Sequence, residues 1–267
     1  MLAYYSPTAH QDFWTEHWGG HTVDELLAVA EVSPLTSLIT AALPREGLVL
    51  EAGCGLGQYV ILLRQRGWRA AGVDGSVAAL ATARRVAPVP LAASDLRALA
   101  IRSGAVAAYV SLGVVEHDPD GPDAILAEAR RVLAPGGVLV VSVPYLNGAR
   151  RLGGPWIRRR ARAVVAAGGA FYQYAFSRRE LVAALARHGF VTQAAHPYDA
   201  ARLLRSALPR AVVARVRRRP AALPGRRPAT GPAASRGRLA ALVRRALYTE
   251  PALRLLGHML LVVARRP

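Results

Sequence analysis

Three carboxylates and three glycines form the most chemically suggestive pattern in this chain. Glu51 ends a short apolar run, and Gly53, Gly55 and Gly57 follow it at alternate positions. Glycine has no Cβ, so its backbone can take positive φ angles and come close to a small molecule. Apolar-periodic residues 59–65 then supply a helix whose first N–H groups lack partners and point at whatever lies before them. Asp74 ends the next apolar run, 70–73, and Asp95 follows the one after that. An ionised carboxylate only accepts hydrogen bonds, which suits Asp74 to a pair of neighbouring hydroxyls. Taken singly, each Asp also fits a helix N-cap. The glycine spacing departs from a dinucleotide fingerprint, which wants Gly or Ala where Gln58 stands.

Aromatic side chains gather in two further places. Residues 1–21 hold Tyr5, Trp14 and Trp18, the two Trp one helical turn apart, as in a lid over a site or a helix packed on a core. His17 and His21 are also four apart, but Gly19 and Gly20 interrupt a helix between them, and no metal site is expected there. Residues 145–174 contain Tyr145, Trp156, Phe171, Tyr172 and Tyr174, suited to stacking on a flat acceptor. Arg150, Arg151, Arg158, Arg159, Arg160 and Arg162 share that segment and suit phosphate or carboxylate, or simply a solvated face. Cys54 is the only cysteine; it excludes an intramolecular disulfide and reads as a small buried filler.

Positioning these residues requires alternating strands and helices. Strands are expected at 48–51, 70–73, 90–92, 106–111 and 138–143, with helices at 57–66, 76–86 and 122–133 between them. Pro135-Gly136-Gly137 reads as a helix stop followed by a turn. Such alternation implies right-handed crossovers and a parallel sheet, with ligands beyond the strands' carboxyl ends. Ser33-Pro34 opens an earlier helix, and Ser177 to Glu180 forms a capping box for a later one. A sixth strand is expected at 190–194 and a last one at 259–264.

Four ordered pieces give the chain a family resemblance. They are Glu51-Ala52-Gly53-Cys54-Gly55-Leu56-Gly57, Val73-Asp74-Gly75-Ser76, Ser94-Asp95-Leu96, and the pair Ser111 to His117 and Arg130 to Gly137. Together they resemble the class I, Rossmann-like S-adenosylmethionine-dependent methyltransferases, in their small-molecule branch. The resemblance implies an α/β fold with a seven-stranded, mostly parallel, doubly wound sheet. It also implies that Glu51, Gly53, Cys54, Gly55 and Gly57 hold the methionine end of S-adenosylmethionine. Asp74, Gly75 and Ser76 would take the ribose, Asp95 and Leu96 the adenine, and Leu112 and Gly113 would flank the sulfonium. His117, just past the fourth strand, is the candidate base, because imidazole titrates near neutral pH. Tyr5, Trp14, Tyr145, Trp156, Tyr172 and Tyr174 are the candidate acceptor contacts. One branch, the ubiquinone-pathway O-methyltransferases, carries Glu-x-x-Glu-His here for a metal; Gly113 replaces the first Glu, and no metal is expected.

The expected organisation is an N-terminal helical lid segment at 1–46 and a cofactor-binding core at 47–199. A basic helical insertion at 200–257 follows, with a flexible linker at 215–237, and then a final strand at 258–267. The family normally joins its last two strands by a short hairpin, so this insertion is the clearest departure. All 35 basic residues are Arg, which with the abundant Ala reads first as codon bias. Their distribution is polarised: residues 1–147 carry net −4 and residues 148–267 net +22. That asymmetry suggests an anionic partner for the second half, such as a membrane surface or a phosphorylated substrate. Nucleic acid is disfavoured, since no RNA-binding module and no Asn-Pro-Pro-aromatic tetrapeptide are present. The expected activity is methyl transfer to an O or N atom of a small molecule. The alternatives are an RNA-directed or lipid-directed methyltransferase and a non-catalytic binding protein. No signal-peptide pattern or membrane-length apolar run is seen, so a cytoplasmic protein, either soluble or peripheral on the inner membrane surface, is expected.

Overall fold

The computed structural model describes residues 1–8, 13–200, 202 and 245–267. Its centre is a run of short apolar strands: β2 (Val49–Ala52), β3 (Ala70–Asp74), β4 (Leu91–Ala93), β5 (Val106–Leu112) and β6 (Leu133–Pro144). These pair in parallel in the order β4-β3-β2-β5-β6. β9 (Met259–Arg265) then adds antiparallel to β6, and β8 (Val191–Tyr198) adds antiparallel to β9, giving seven strands. All four residues of β2 are buried, as a central parallel strand covered on both faces requires.

Helices cover both faces. On one side α3 (Pro34–Ala42), α4 (Gln58–Gln65) and α5 (Val77–Val86) bury Ile39, Leu62, Leu63 and Leu80. On the other, α6 (Asp123–Val132) and α9 (Arg178–Arg187) bury Leu126, Val132, Leu181 and Leu185. Each such side chain contributes about 1.5–3 kcal/mol by leaving water. Caps define the helix starts. The Ser177 hydroxyl accepts from the Glu180 N–H, while the Glu180 carboxylate accepts from the Ser177 N–H at 2.8 Å. Ser33 caps α3 with Pro34 at its first position. The helix α2 (Val23–Val32), inside the segment expected to be helical, opens on a second capping box, Thr22 with Glu25.

Four differences from expectation have physical causes. First, the 1–46 segment is not all helical: β1 (Leu2–Ser6) pairs antiparallel with β7 (Ala170–Ala175) in a separate two-stranded sheet. The Met1 amino group, paired with Glu180, fastens its start. The helix α1 (Phe13–Gly19) follows, stopping at the glycines as expected. Second, the strand expected at 138–143 begins at Leu133. The Gly136 N–H donates to the Arg266 carbonyl at 2.7 Å, so the end of β9 draws the Pro-Gly-Gly stretch into the sheet. Third, β8 runs to Tyr198 because β9 offers it a full-length partner. Fourth, the segment after β6 folds as α7 (Gly148–Leu152) and α8 (Gly154–Ala166) before β7. The linker at 215–237 and most of the flanking Arg-rich helices lie outside the described residues; α10 (Glu250–Leu256) leads into β9.

Candidate active-site cleft

A cleft of about 920 Å³ opens at the carboxyl ends of β2, β3, β4 and β5. Glu51, Gly53, Asp74, Gly75, Ser76, Asp95, Leu96, Leu112, Gly113 and His117 all line it, joined by Trp14 and Tyr172. These twelve residues come from several strands, the loops that follow them and the first helix, far apart in sequence.

Glu51 is the floor of the cleft and is only 3% exposed. The Val60 N–H in the first turn of α4 donates to its carboxyl group, while Oε2 is buried without a partner. Burial pushes its pKa up to about 8, so the unliganded group carries a proton at neutral pH. Gln58 Oε1, at the start of α4, is a second buried oxygen without a partner on the cleft wall.

The glycine loop is held by Asp74. Its Oδ2 accepts from the Gly55 N–H at 2.7 Å and its Oδ1 from the Ser76 N–H at 2.8 Å. Asp74 is therefore not the cap of α5; the Ser76 hydroxyl does that, accepting from the Ala79 N–H. Each Asp74 oxygen keeps a lone pair for a ligand. Gly53 and Gly55 have φ of 79° and 51°, and a Cβ on either would overlap Val114 or the Trp18 ring. Gly57, also left-handed, begins α4, and Cys54 packs its sulfur against Gly72 of β3. Burial raises the Cys54 thiol pKa, and the side chain behaves as filler beneath the loop.

Asp95 lies at the outer rim with its side chain 52% exposed. The Arg97 side chain donates to both carboxylate oxygens, Nε to Oδ1 at 3.1 Å and Nη2 to Oδ2 at 2.9 Å. Those bonds hold its pKa below the usual carboxylate range.

His117 stands in an aromatic collar. Its ring meets Trp14 edge-on at 4.6 Å and Tyr172 at 5.3 Å, and Phe13 packs on Tyr172 at 5.4 Å. His117 Nδ1 lies 2.7 Å from the Tyr172 carbonyl, which only accepts, so Nδ1 carries the proton and Nε2 the lone pair. Burial lowers the His117 pKa. Beneath it Glu116 is 1% exposed, with Oε1 3.9 Å from His117 Nε2 and Oε2 without a partner; burial pushes it up to about 8.

Four of the candidate acceptor residues are elsewhere. Tyr145 is in the core below, and the Tyr174 hydroxyl donates to the Pro119 carbonyl. Tyr5 packs on Phe171 in the β1–β7 sheet, and Trp156 is exposed on α8. Conversely, His17, Trp18 and Gln58 line the cleft although the motifs did not single them out. Gln58 follows directly on the glycine loop and was the most legible of the three; His17 and Trp18 depend on where α1 docks.

Residues 50–141 match the family model described as a methyltransferase domain. Over 97 residues the chain is 37% identical to a probable S-adenosylmethionine-dependent methyltransferase of Mycolicibacterium smegmatis, covering 36% of this chain and 37% of that protein. Over 109 residues it is 34% identical to the malonyl-[acyl-carrier protein] O-methyltransferase of Serratia marcescens, covering 40% of this chain and 42% of that one. Both alignments thus span less than half of the relative. A crystal structure of an S-adenosylmethionine-dependent methyltransferase from Archaeoglobus fulgidus superposes with a TM-score of 0.58 at 14% identity, covering 96% of this chain and 100% of that one. Residues 50–141 are thus similar to a methyltransferase domain, and the fold around them is shared with solved S-adenosylmethionine-dependent methyltransferases.

Proposed function

We propose that this chain transfers a methyl group from S-adenosylmethionine to an oxygen or nitrogen of a small-molecule acceptor, with His117 as the general base. The observation that carries this reading is the buried Glu51, whose unpartnered Oε2 faces a cleft large enough for a nucleoside. A carboxyl group is kept in such a place at a cost, which a cationic ligand offsets. The ammonium of the cofactor is that cation. Asp74, with one lone pair left on each oxygen, suits the ribose hydroxyls. Gly53 and Gly55 let Val114 and Trp18 close on the loop, and Asp95 and Leu96 at the rim are assigned to the adenine. When bound, the cofactor supplies a methyl group already activated by a positively charged sulfur.

The remaining work falls to alignment and to proton removal. Trp14 and Tyr172 present aromatic surface to a flat or apolar acceptor at the mouth. His117, its tautomer fixed by the Tyr172 carbonyl, offers Nε2 to a hydroxyl or ammonium proton of that acceptor. The imidazolium so formed would lie near Glu116, whose ionisation the new positive charge favours. Titration with S-adenosylmethionine, followed by transfer of labelled methyl to a metabolite panel, tests the reading. Asp74→Ala should weaken cofactor binding at least tenfold; unchanged affinity removes the assignment. Tight binding with no transfer to any acceptor would instead favour a non-catalytic binding protein.

A further inference from the structure

The helices α7 and α8 carry a feature that the cleft does not use. Arg151, Arg158, Arg159, Arg160 and Arg162 are all exposed, and none pairs with a carboxylate among the described residues. Residues 148–179 contain no Asp or Glu at all. Arg150 alone turns inward, donating to the Tyr145 carbonyl at 2.7 Å. Between these cations stand two large apolar side chains in water: Leu152, 82% exposed, and Trp156, 64% exposed. The Arg160 guanidinium lies over the Trp156 ring at 5.7 Å. Leu255 of α10, also exposed, lies beside the start of α7 against Gly148.

The inner edge of α8 packs towards β1, so its outer face is left to solvent. An ordinary solvated face explains the arginines but gives no reason for Leu152 and Trp156 to stand among them. Trp favours the boundary between water and hydrocarbon, and Arg there reaches phosphate while its stem stays in apolar surroundings. We propose that the exposed face of α7 and α8 docks on an anionic phospholipid surface, with Arg159, Arg160 and Arg162 on headgroup phosphates and Trp156 and Leu152 entering the interface. Nucleic acid would satisfy the guanidinium groups but leave both apolar side chains bare. No single helix among the described residues is long and apolar enough to cross a membrane. This inference stands whether or not the cleft transfers methyl groups.

The test is flotation of the full chain with phosphatidylcholine vesicles, with and without phosphatidylglycerol. The wild type should partition onto the anionic vesicles only, and less so as salt rises. Arg159→Gln/Arg160→Gln/Arg162→Gln should bind about a hundredfold more weakly, since each surface cation contributes about a factor of five. Trp156→Ala should bind several-fold more weakly. Because these side chains are exposed, Tm should stay at the wild-type value, separating lost docking from lost folding. Wild-type binding by the triple variant would assign any lipid contact to the other Arg-rich segment, 203–244, and overturn the proposal. So would equal binding to neutral vesicles, undiminished binding by Trp156→Ala, or single-stranded RNA displacing the vesicles.

Discussion

Glu51→Gln should separate the stability of the unliganded protein from its function. Burial holds Glu51 protonated up to a pKa of about 8, against 4.5 for the ordinary carboxyl. Between those two values the native state keeps a proton that the unfolded chain has lost. Stability contributed by the protonated group is therefore fully present below pH 4.5 and declines as pH rises towards 8. At about 1.4 kcal/mol per pH unit, tapering near each pKa, the wild type should lose about 3 kcal/mol relative to Glu51→Gln between pH 4.5 and pH 7. Gln keeps the size of the buried group and cannot ionise, so the variant's curve lacks this term. Glu116, shifted in the same sense, remains in both proteins and cancels in the difference. Urea denaturation across pH measures it. The gain in stability should come with a loss of cofactor affinity, because the variant cannot ionise to meet an ammonium. Calorimetric titration at pH 7 in buffers of different ionisation enthalpy should detect close to one proton released by the wild type and none by the variant. Parallel stability curves together with unchanged binding would refute the reasoning.

The other expectations concern the loop and the base. Asp74→Ala leaves the Gly55 and Ser76 N–H groups without their acceptor and should cost about 1–3 kcal/mol of stability, read by denaturation, besides weakening the cofactor. Gly55→Ala forces a side chain into left-handed backbone against Trp18; a loss of about 1–3 kcal/mol and a changed tryptophan emission should follow, and a wild-type Tm would show that the loop can relax. His117→Ala should lower kcat/KM by about two to four orders of magnitude. Since burial lowers the His117 pKa, the wild-type profile should fall on an acid limb below pH 6.5 and stay flat through neutrality. The variant should lack that limb; activity within about threefold of wild type would end the base role.

Local chemistry made the centre of this protein readable. A buried parallel strand must be almost wholly apolar, so Glu51 at the end of Val49 and Leu50 announces a strand end and a site at once. Ser33-Pro34 and Ser177 to Glu180 each satisfy orphan N–H groups with neighbouring side chains, so both helix starts were legible too. Contacts between distant segments were not. The pairing of Leu2–Ser6 with Ala170–Ala175 spans most of the chain, and neither strand contains a signal naming the other. That sheet nevertheless determines that Tyr172 reaches the cleft while its neighbours Phe171 and Tyr174 face elsewhere. The docking of α1 likewise decides that Trp18 closes on Gly55 and that Trp14 meets His117. The residue types capable of chemistry were visible from sequence because their constraints are local. Their protonation, tautomer and exposure depend on desolvation and on partners brought by the rest of the fold, and only the tertiary structure decides those.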